Sequence, residues 1–67
     1  MKVGFIGTGK IAAILAKTFA QVEGAECYAV ASRTLEKAET FAREHGFQKA
    51  YGSYLALAED PEVELVY

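Results

Sequence analysis

Met1-Lys2-Val3-Gly4-Phe5-Ile6-Gly7-Thr8-Gly9-Lys10-Ile11-Ala12 is the stretch whose reading decides the fold. Lys2 to Ile6 is a short, mostly apolar run, as expected of a strand buried in a parallel sheet. It passes directly into Gly7-x-Gly9-x-x-Ala12, and apolar residues then recur at helical spacing. A strand, a glycine turn and a helix in immediate succession form the arrangement that holds the pyrophosphate of a dinucleotide. Gly7 lets the backbone turn tightly, and Gly9 has no side chain to keep a phosphate from the main chain. Ala12, in the third glycine position, is small enough for helix and strand to pack closely. The helix beginning near Lys10 presents unpaired N–H groups and the positive end of its dipole to the phosphates. Lys10 itself has two readings, added positive charge near the phosphates or a solvated side chain.

Outward from this motif, the periodicity predicts a first helix from about Lys10 to Val22. Ile11, Ile14, Leu15, Phe19 and Val22 are expected to face the sheet, with Gly24 just past the helix end. Ala25 to Ala31 reads as a second strand covered on both faces. Strict alternation puts Ala25, Cys27, Ala29 and Ala31 on one face and Tyr28 and Val30 on the other. Thr34 is placed to cap a second helix, with Glu36 in its first turn. Leu35, Ala38, Phe41, Ala42 and His45 share its stripe, and Gly46 ends it. His45 reads as a helix-end histidine interacting with the dipole. Gln48 to Tyr51 is a short third strand, and Ser53 caps a brief helix, Tyr54 to Glu59, that Pro61 keeps from continuing. Val63 to Tyr67 begins a fourth strand. The fold class is therefore α/β, a Rossmann-like parallel sheet. Right-handed crossovers order its strands 3-2-1-4, with the ligand crevice between strands one and four.

The chain has 67 residues, enough for one small domain. At that size a domain buries only about 60% of its unfolded surface. A formal net charge of −2 argues against a general nucleic-acid surface. Glu59, Asp60, Glu62 and Glu64 read as a solvated turn rather than a metal site, since no histidine lies near and Pro61 interrupts the run. The single cysteine, Cys27, forms no internal disulfide and reads as a small core residue rather than a nucleophile. Lys10 breaks the apolar run that would otherwise imitate a secretion signal, and no stretch approaches a membrane span. Cytoplasm is the expected compartment, with neither nucleic acid nor membrane as partner.

The end of the second strand bears on the choice of nicotinamide cofactor. An NAD site places Asp or Glu there, about 20 residues past the glycine loop, to hold the ribose hydroxyls. This chain has Ser32-Arg33 instead. Ser32 can donate to a 2′-phosphate, and Arg33 can pair with it or stack on the adenine. Lys37 stands one turn into the helix with a further positive charge. This pattern favours NADP, with NAD the alternative. The competing account is that Ser32 and Arg33 merely cap the second helix.

Assembled, these residues resemble the N-terminal half of the glucose–fructose oxidoreductase/inositol dehydrogenase/MocA (Gfo/Idh/MocA) family. Three segments carry the resemblance: Val3 to Ala12; Ala29-Val30-Ala31-Ser32-Arg33 with Lys37-Ala38; and Tyr51-Gly52-Ser53-Tyr54 leading to Asp60-Pro61-Glu62-Val63. The last is the most discriminating, because many Rossmann enzymes share the glycine loop. The resemblance implies an NAD(P)-dependent oxidoreductase passing hydride between the nicotinamide and a sugar, polyol or related hydroxy or carbonyl compound. It carries over Gly7, Thr8, Gly9, Lys10, Ile11, Ala12, Ser32, Arg33 and Lys37 as cofactor contacts. The family's proton-transfer lysine lies in a Glu-Lys-Pro segment after strand five, and no Glu-Lys-Pro occurs here. Residues 1–67 are thus expected to be a partial NAD(P)-binding domain of a larger enzyme. Its substrate domain and catalytic residues then lie elsewhere, and the fragment alone is inactive. Two alternatives remain: a non-catalytic NAD(P)-binding or sensing module, and another reductase such as the pyrroline-5-carboxylate reductase group. Strand four, with Val63, Leu65 and Val66, is expected to leave an open edge through which an isolated fragment self-associates or by which it is loosened.

Overall fold

Short strands alternating with short helices are what the period changes dictate, and the computed structural model, which describes all 67 residues, has that order. The elements are β1 (Lys2–Ile6), α1 (Lys10–Ala20), β2 (Glu26–Ala31), α2 (Leu35–His45), β3 (Lys49–Tyr51), α3 (Tyr54–Ala58) and β4 (Leu65–Val66). The sheet is parallel throughout, in the order β3-β2-β1-β4. Backbone bonding flanks the short β4 on both sides: Glu64 N–H donates to Lys2 O at 2.8 Å and Tyr67 N–H to Gly4 O at 2.8 Å. The caps fall where the side chains supply them. Thr34 Oγ1 accepts from Lys37 N, Ser53 Oγ accepts from Ala56 N, and Gly46 closes α2 in the left-handed region at φ 77°.

One face of the sheet carries α1 and α2 over Val3, Phe5, Ala16, Val30, Phe41, Ala42 and Phe47. Phe5 stands at its centre, edge-on to Phe19 at 5.7 Å and to Phe47 at 5.2 Å between ring centroids. The other face carries α3, whose fully buried Leu57 packs with Tyr28, Ala29 and Ala31. Gly4 lies beneath that layer; a Cβ there would stand 3.0 Å from Val63 Cγ1 and 3.2 Å from Leu57 Cδ1.

Two sequence expectations are corrected. Helix α1 ends at Ala20, short of Val22, and its inner face is not the one the large apolar residues suggest. Ile11, Ile14 and Val22 are exposed, whereas Ala12, Ala13, Leu15, Ala16 and Phe19 pack on the core. The close approach of helix to strand favours alanine inside, and Phe19 fills the gap further along. In β2 the strict alternation fails. Val3 pairs with Cys27 but Gly4 with Ala29, so Tyr28 is an extra residue, a bulge. One inserted residue exchanges the two faces. Cys27 therefore joins Val30 on the α1 side, while Tyr28 joins Ala29 and Ala31 under α3.

Candidate functional site

The loop Gly7-Thr8-Gly9 leaves the end of β1 where the sheet turns from β2 on one side to β4 on the other, the switch point at which open α/β sheets bind ligands. Gly7 has φ 101°, which side-chain-bearing residues rarely adopt, and its N–H donates to Ala31 O at 2.8 Å, fixing the loop to the end of β2. Gly9 is the N-cap of α1 and supplies no side chain to the helix end, and the first turn holds no acidic residue. The N–H groups of Lys10, Ile11 and Ala12 find no acceptor within the protein. These donors point out of the end of α1 along its positive dipole.

The residues singled out from the sequence line three depressions along one edge of the sheet. Gly7, Gly9, Ile11 and Ala12 border a hollow of about 210 Å³ floored by Phe5 and Ile6 and flanked by Tyr67. Tyr67 is held there by Ile6 N–H, which donates to its carbonyl at 2.9 Å. Thr8 and Lys37 meet in a second depression, about 220 Å³, which Glu36 and Glu44 share. Ser32 and Arg33 border a third, about 250 Å³, opposite Gly52, Ser53 and Tyr54. Lys10 is exposed and lines none of them. The capping account of Ser32-Arg33 is corrected: Thr34 caps α2, and Arg33 is exposed without an ion-pair partner, the chain's one salt bridge being Lys2–Glu62. Gly52 and Tyr54, on the wall facing Ser32 and Arg33, were not among the residues singled out as ligand contacts. The signal for them was an aromatic residue beside a helix cap at a strand's C-terminal end.

In the acidic segment Glu59, Glu62 and Glu64 are exposed, as a solvated turn requires, and Asp60 departs from it. Asp60 is buried; its Oδ2 accepts from Tyr51 Oη at 2.5 Å and its Oδ1 from Glu62 N at 2.9 Å. Glu62 accepts from Tyr28 Oη at 3.0 Å and from Lys2 Nζ at 2.8 Å. The Tyr51 hydrogen bond holds the Asp60 carboxyl below its usual range, and the Lys2 hydrogen bond does the same for Glu62. Reciprocally, Tyr51 is pushed up to about 12 by its bond to Asp60, and Tyr28 is raised by burial and by Glu62. The segment is a latch joining β1, β2, β3 and the entry to β4. Burial raises the Cys27 thiol, in keeping with a core residue whose Sγ donates to Ala16 O at 3.6 Å. His45 packs its ring on Phe41 at 4.3 Å in the last turn of α2. No helix is long and apolar enough to cross a membrane.

Comparison with known proteins gives the same picture. A family model described as "Oxidoreductase family, NAD-binding Rossmann fold" matches residues 1–67. The trans-1,2-dihydrobenzene-1,2-diol dehydrogenase of Xenopus tropicalis is 41% identical over 98% of this chain and 21% of its own length. A 3-ketoreductase from Actinomadura kijaniata, solved with NADP and TDP-benzene, superposes with a TM-score of 0.90 at 31% identity, over 100% of this chain and 21% of that one. A levoglucosan dehydrogenase solved with NADH and levoglucosan shares the fold, with a TM-score of 0.90 at 22% identity over 98% of this chain and 20% of its own. The chain thus spans about a fifth of the length of these relatives. The pyrroline-5-carboxylate reductase alternative gives way to this match. Glycine loop, strand order, latch segment and family match converge, and the chain belongs to the Gfo/Idh/MocA family of NAD(P)-binding oxidoreductases.

Proposed function

We propose that this chain is the part of an NAD(P)-dependent oxidoreductase that grips the adenosine and pyrophosphate of the cofactor, through Gly7, Thr8, Gly9, Lys10, Ile11, Ala12, Ser32, Arg33 and Lys37. The observation that carries the reading is Gly9. At φ −80° and ψ −173° its backbone suits any residue, and nothing lies within 4 Å of where a Cβ would stand. Neither conformation nor packing requires glycine there. A bare main chain beside the free N–H groups of Lys10, Ile11 and Ala12 suits an anion approaching from outside. The bound nicotinamide supplies the hydride chemistry, for a substrate we assign to sugars, polyols or related hydroxy and carbonyl compounds. The one-fifth coverage of its relatives supports reading residues 1–67 as a partial domain that does not catalyse alone.

The preferred cofactor is NADP. Ser32 and Arg33 stand where an NAD site places an acid, Thr34 relieves them of capping, and no carboxylate borders their depression. Arg33 is the main phosphate partner, because Lys37 shares its depression with Glu36 and Glu44. The NADP-bound ketoreductase agrees with this preference and the NADH-bound levoglucosan dehydrogenase does not. An amide NMR titration tests both parts. NADP⁺ is expected to shift residues 7–12 together with Ser32, Arg33 and Lys37, with weaker effects from NAD⁺. Equal shifts from both would remove the preference, and none from either in a folded sample would remove the site. The edge of β4 away from β1 is unpaired and exposes Leu65 and Val66; we assign it as the surface through which the isolated chain self-associates.

A further inference from the structure

We propose that the Tyr51–Asp60 hydrogen bond holds the β2–α2 turn in place, making Tyr51 a positioning residue for the Ser32–Arg33 pair that favours NADP over NAD. The proposal rests on the cofactor reading above and adds to it a side chain that touches no cofactor. Gly7 N–H bonds to Ala31 O at 2.8 Å and Ser32 N–H to Tyr51 O at 3.1 Å, so the ends of β1, β2 and β3 are joined in one row. The turn Ser32-Arg33-Thr34 leaves this row for α2. Arg33 is exposed and has no ion-pair partner, so its side chain does nothing to fix the turn. Residues 51 and 52 do reach it from the side. Tyr51 O accepts from Ser32 N–H, and a Cβ on Gly52 would stand 3.2 Å from Leu35 Cβ and 3.3 Å from Leu35 N. The end of β3 is thus bonded to the start of the turn and pressed against the first turn of α2.

By itself β3 is a weak anchor. It has three residues, Lys49–Tyr51, lies at the edge of the sheet and pairs with β2 alone. A strand end held on one side by so few bonds opens at low cost. Tyr51 is its last residue, and the side chain supplies the missing restraint. Its ring packs against Tyr28, Ala29, Ala31 and Leu57, and its hydroxyl donates to Asp60 Oδ2 at 2.5 Å. A hydroxyl on a carboxylate at that distance belongs to the short, strong class of hydrogen bond. The acceptor is itself fixed. Asp60 is buried, its Oδ1 accepts from Glu62 N at 2.9 Å, and its N–H donates to Leu57 O at 3.1 Å, where Leu57 is fully buried. One residue therefore has its carbonyl at the cofactor edge and its hydroxyl in the latch. The glycine loop has no such link, since Gly7 bonds to Ala31 in β2 and not to β3. Loss of the Tyr51 hydroxyl loosens Ser32 and Arg33 and leaves residues 7–12 in place.

The test titrates NADP⁺ and NAD⁺ separately into the unaltered chain, Tyr51→Phe and the double variant Tyr51→Phe/Asp60→Ala, followed by amide NMR. Tyr51→Phe is expected to weaken NADP⁺ about fivefold, the order of one hydrogen bond, and NAD⁺ by less than about twofold. In the ligand-free variant the Ser32 and Arg33 amides should move and those of residues 7–12 should not. The double variant leaves no carboxylate buried without its partner, so it reads the same loss if Tyr51→Phe fails to fold. Asp60→Asn still offers the Tyr51 hydroxyl a partner and should keep the NADP⁺ to NAD⁺ affinity ratio within about twofold of the unaltered chain. NADP⁺ and NAD⁺ weakened alike in a folded variant, or Ser32 and Arg33 amides unmoved, overturns the positioning role and leaves the cofactor site standing. Binding of neither dinucleotide, or of both equally, by the unaltered chain overturns the cofactor reading on which the role depends.

Discussion

On the proposed reading, Ser32 and Arg33 favour NADP because they stand where a carboxylate would repel a 2′-phosphate. Arg33→Ala should weaken NADP⁺ by about 1–2 kcal/mol, roughly tenfold, and NAD⁺ by much less, as read by titration calorimetry. An equal loss for both would assign Arg33 to the base or ribose alone. Gly52 makes a different kind of contact, with backbone on the other side. Gly52→Ala should destabilise the fold by about 1–2 kcal/mol in urea unfolding, since the first turn of α2 must move to admit a methyl group. At this scale the sequence was informative wherever a residue's role is local: Gly7 in its left-handed turn, Thr34 and Ser53 at their helices. Asp60 was not legible, because its burial depends on a hydroxyl brought from Tyr51 by the fold.

Element type and order follow from periodicity, but the face an element buries depends on its neighbours. In α1 the alanines lie inside, so Ile14→Lys should change stability by less than about 0.5 kcal/mol, whereas Ala16→Leu should cost about 1–3 kcal/mol by overpacking. The reverse ranking in thermal unfolding would restore the isoleucine face. The bulge at Tyr28 explains why alternation misassigned β2, since nothing in Glu26 to Ala31 marks an inserted residue. The latch makes stability depend on pH at both ends. Asp60 and Glu62 ionise below their ordinary values of 3.8 and 4.5, so their contribution is complete above those values and is lost as pH falls through the lowered folded ones. Tyr51, raised from 10 to about 12, contributes fully below pH 10 and loses that contribution as pH rises towards 12; Tyr28 acts in the same direction. The thermal midpoint should therefore form a plateau between about pH 5 and 10 and fall on either side. In Tyr51→Phe both flanks should be shallower, and flanks unchanged by that substitution would show that the latch does not set them.

Across the whole molecule, the strand order was readable from the sequence because right-handed crossovers leave few alternatives to 3-2-1-4 once four strands are recognised. What the sequence left unread was the joining of strand ends into a row, which places Tyr54 across from Arg33 although they are far apart in the chain. The open edge of β4 predicts a concentration-dependent mass in light scattering, and Val66→Lys should reduce it; a sharp monomer at all concentrations would contradict the edge assignment. If the open end of α1 is reserved for an anion, Gly9→Asp should close it to the cofactor. An aspartate there can accept the free N–H groups and complement the dipole. The variant should be more stable by about 0.5–1 kcal/mol and should no longer bind NADP⁺ or NAD⁺. Cofactor affinity retained in this variant, whatever its stability, would show that the helix end is not the anion site.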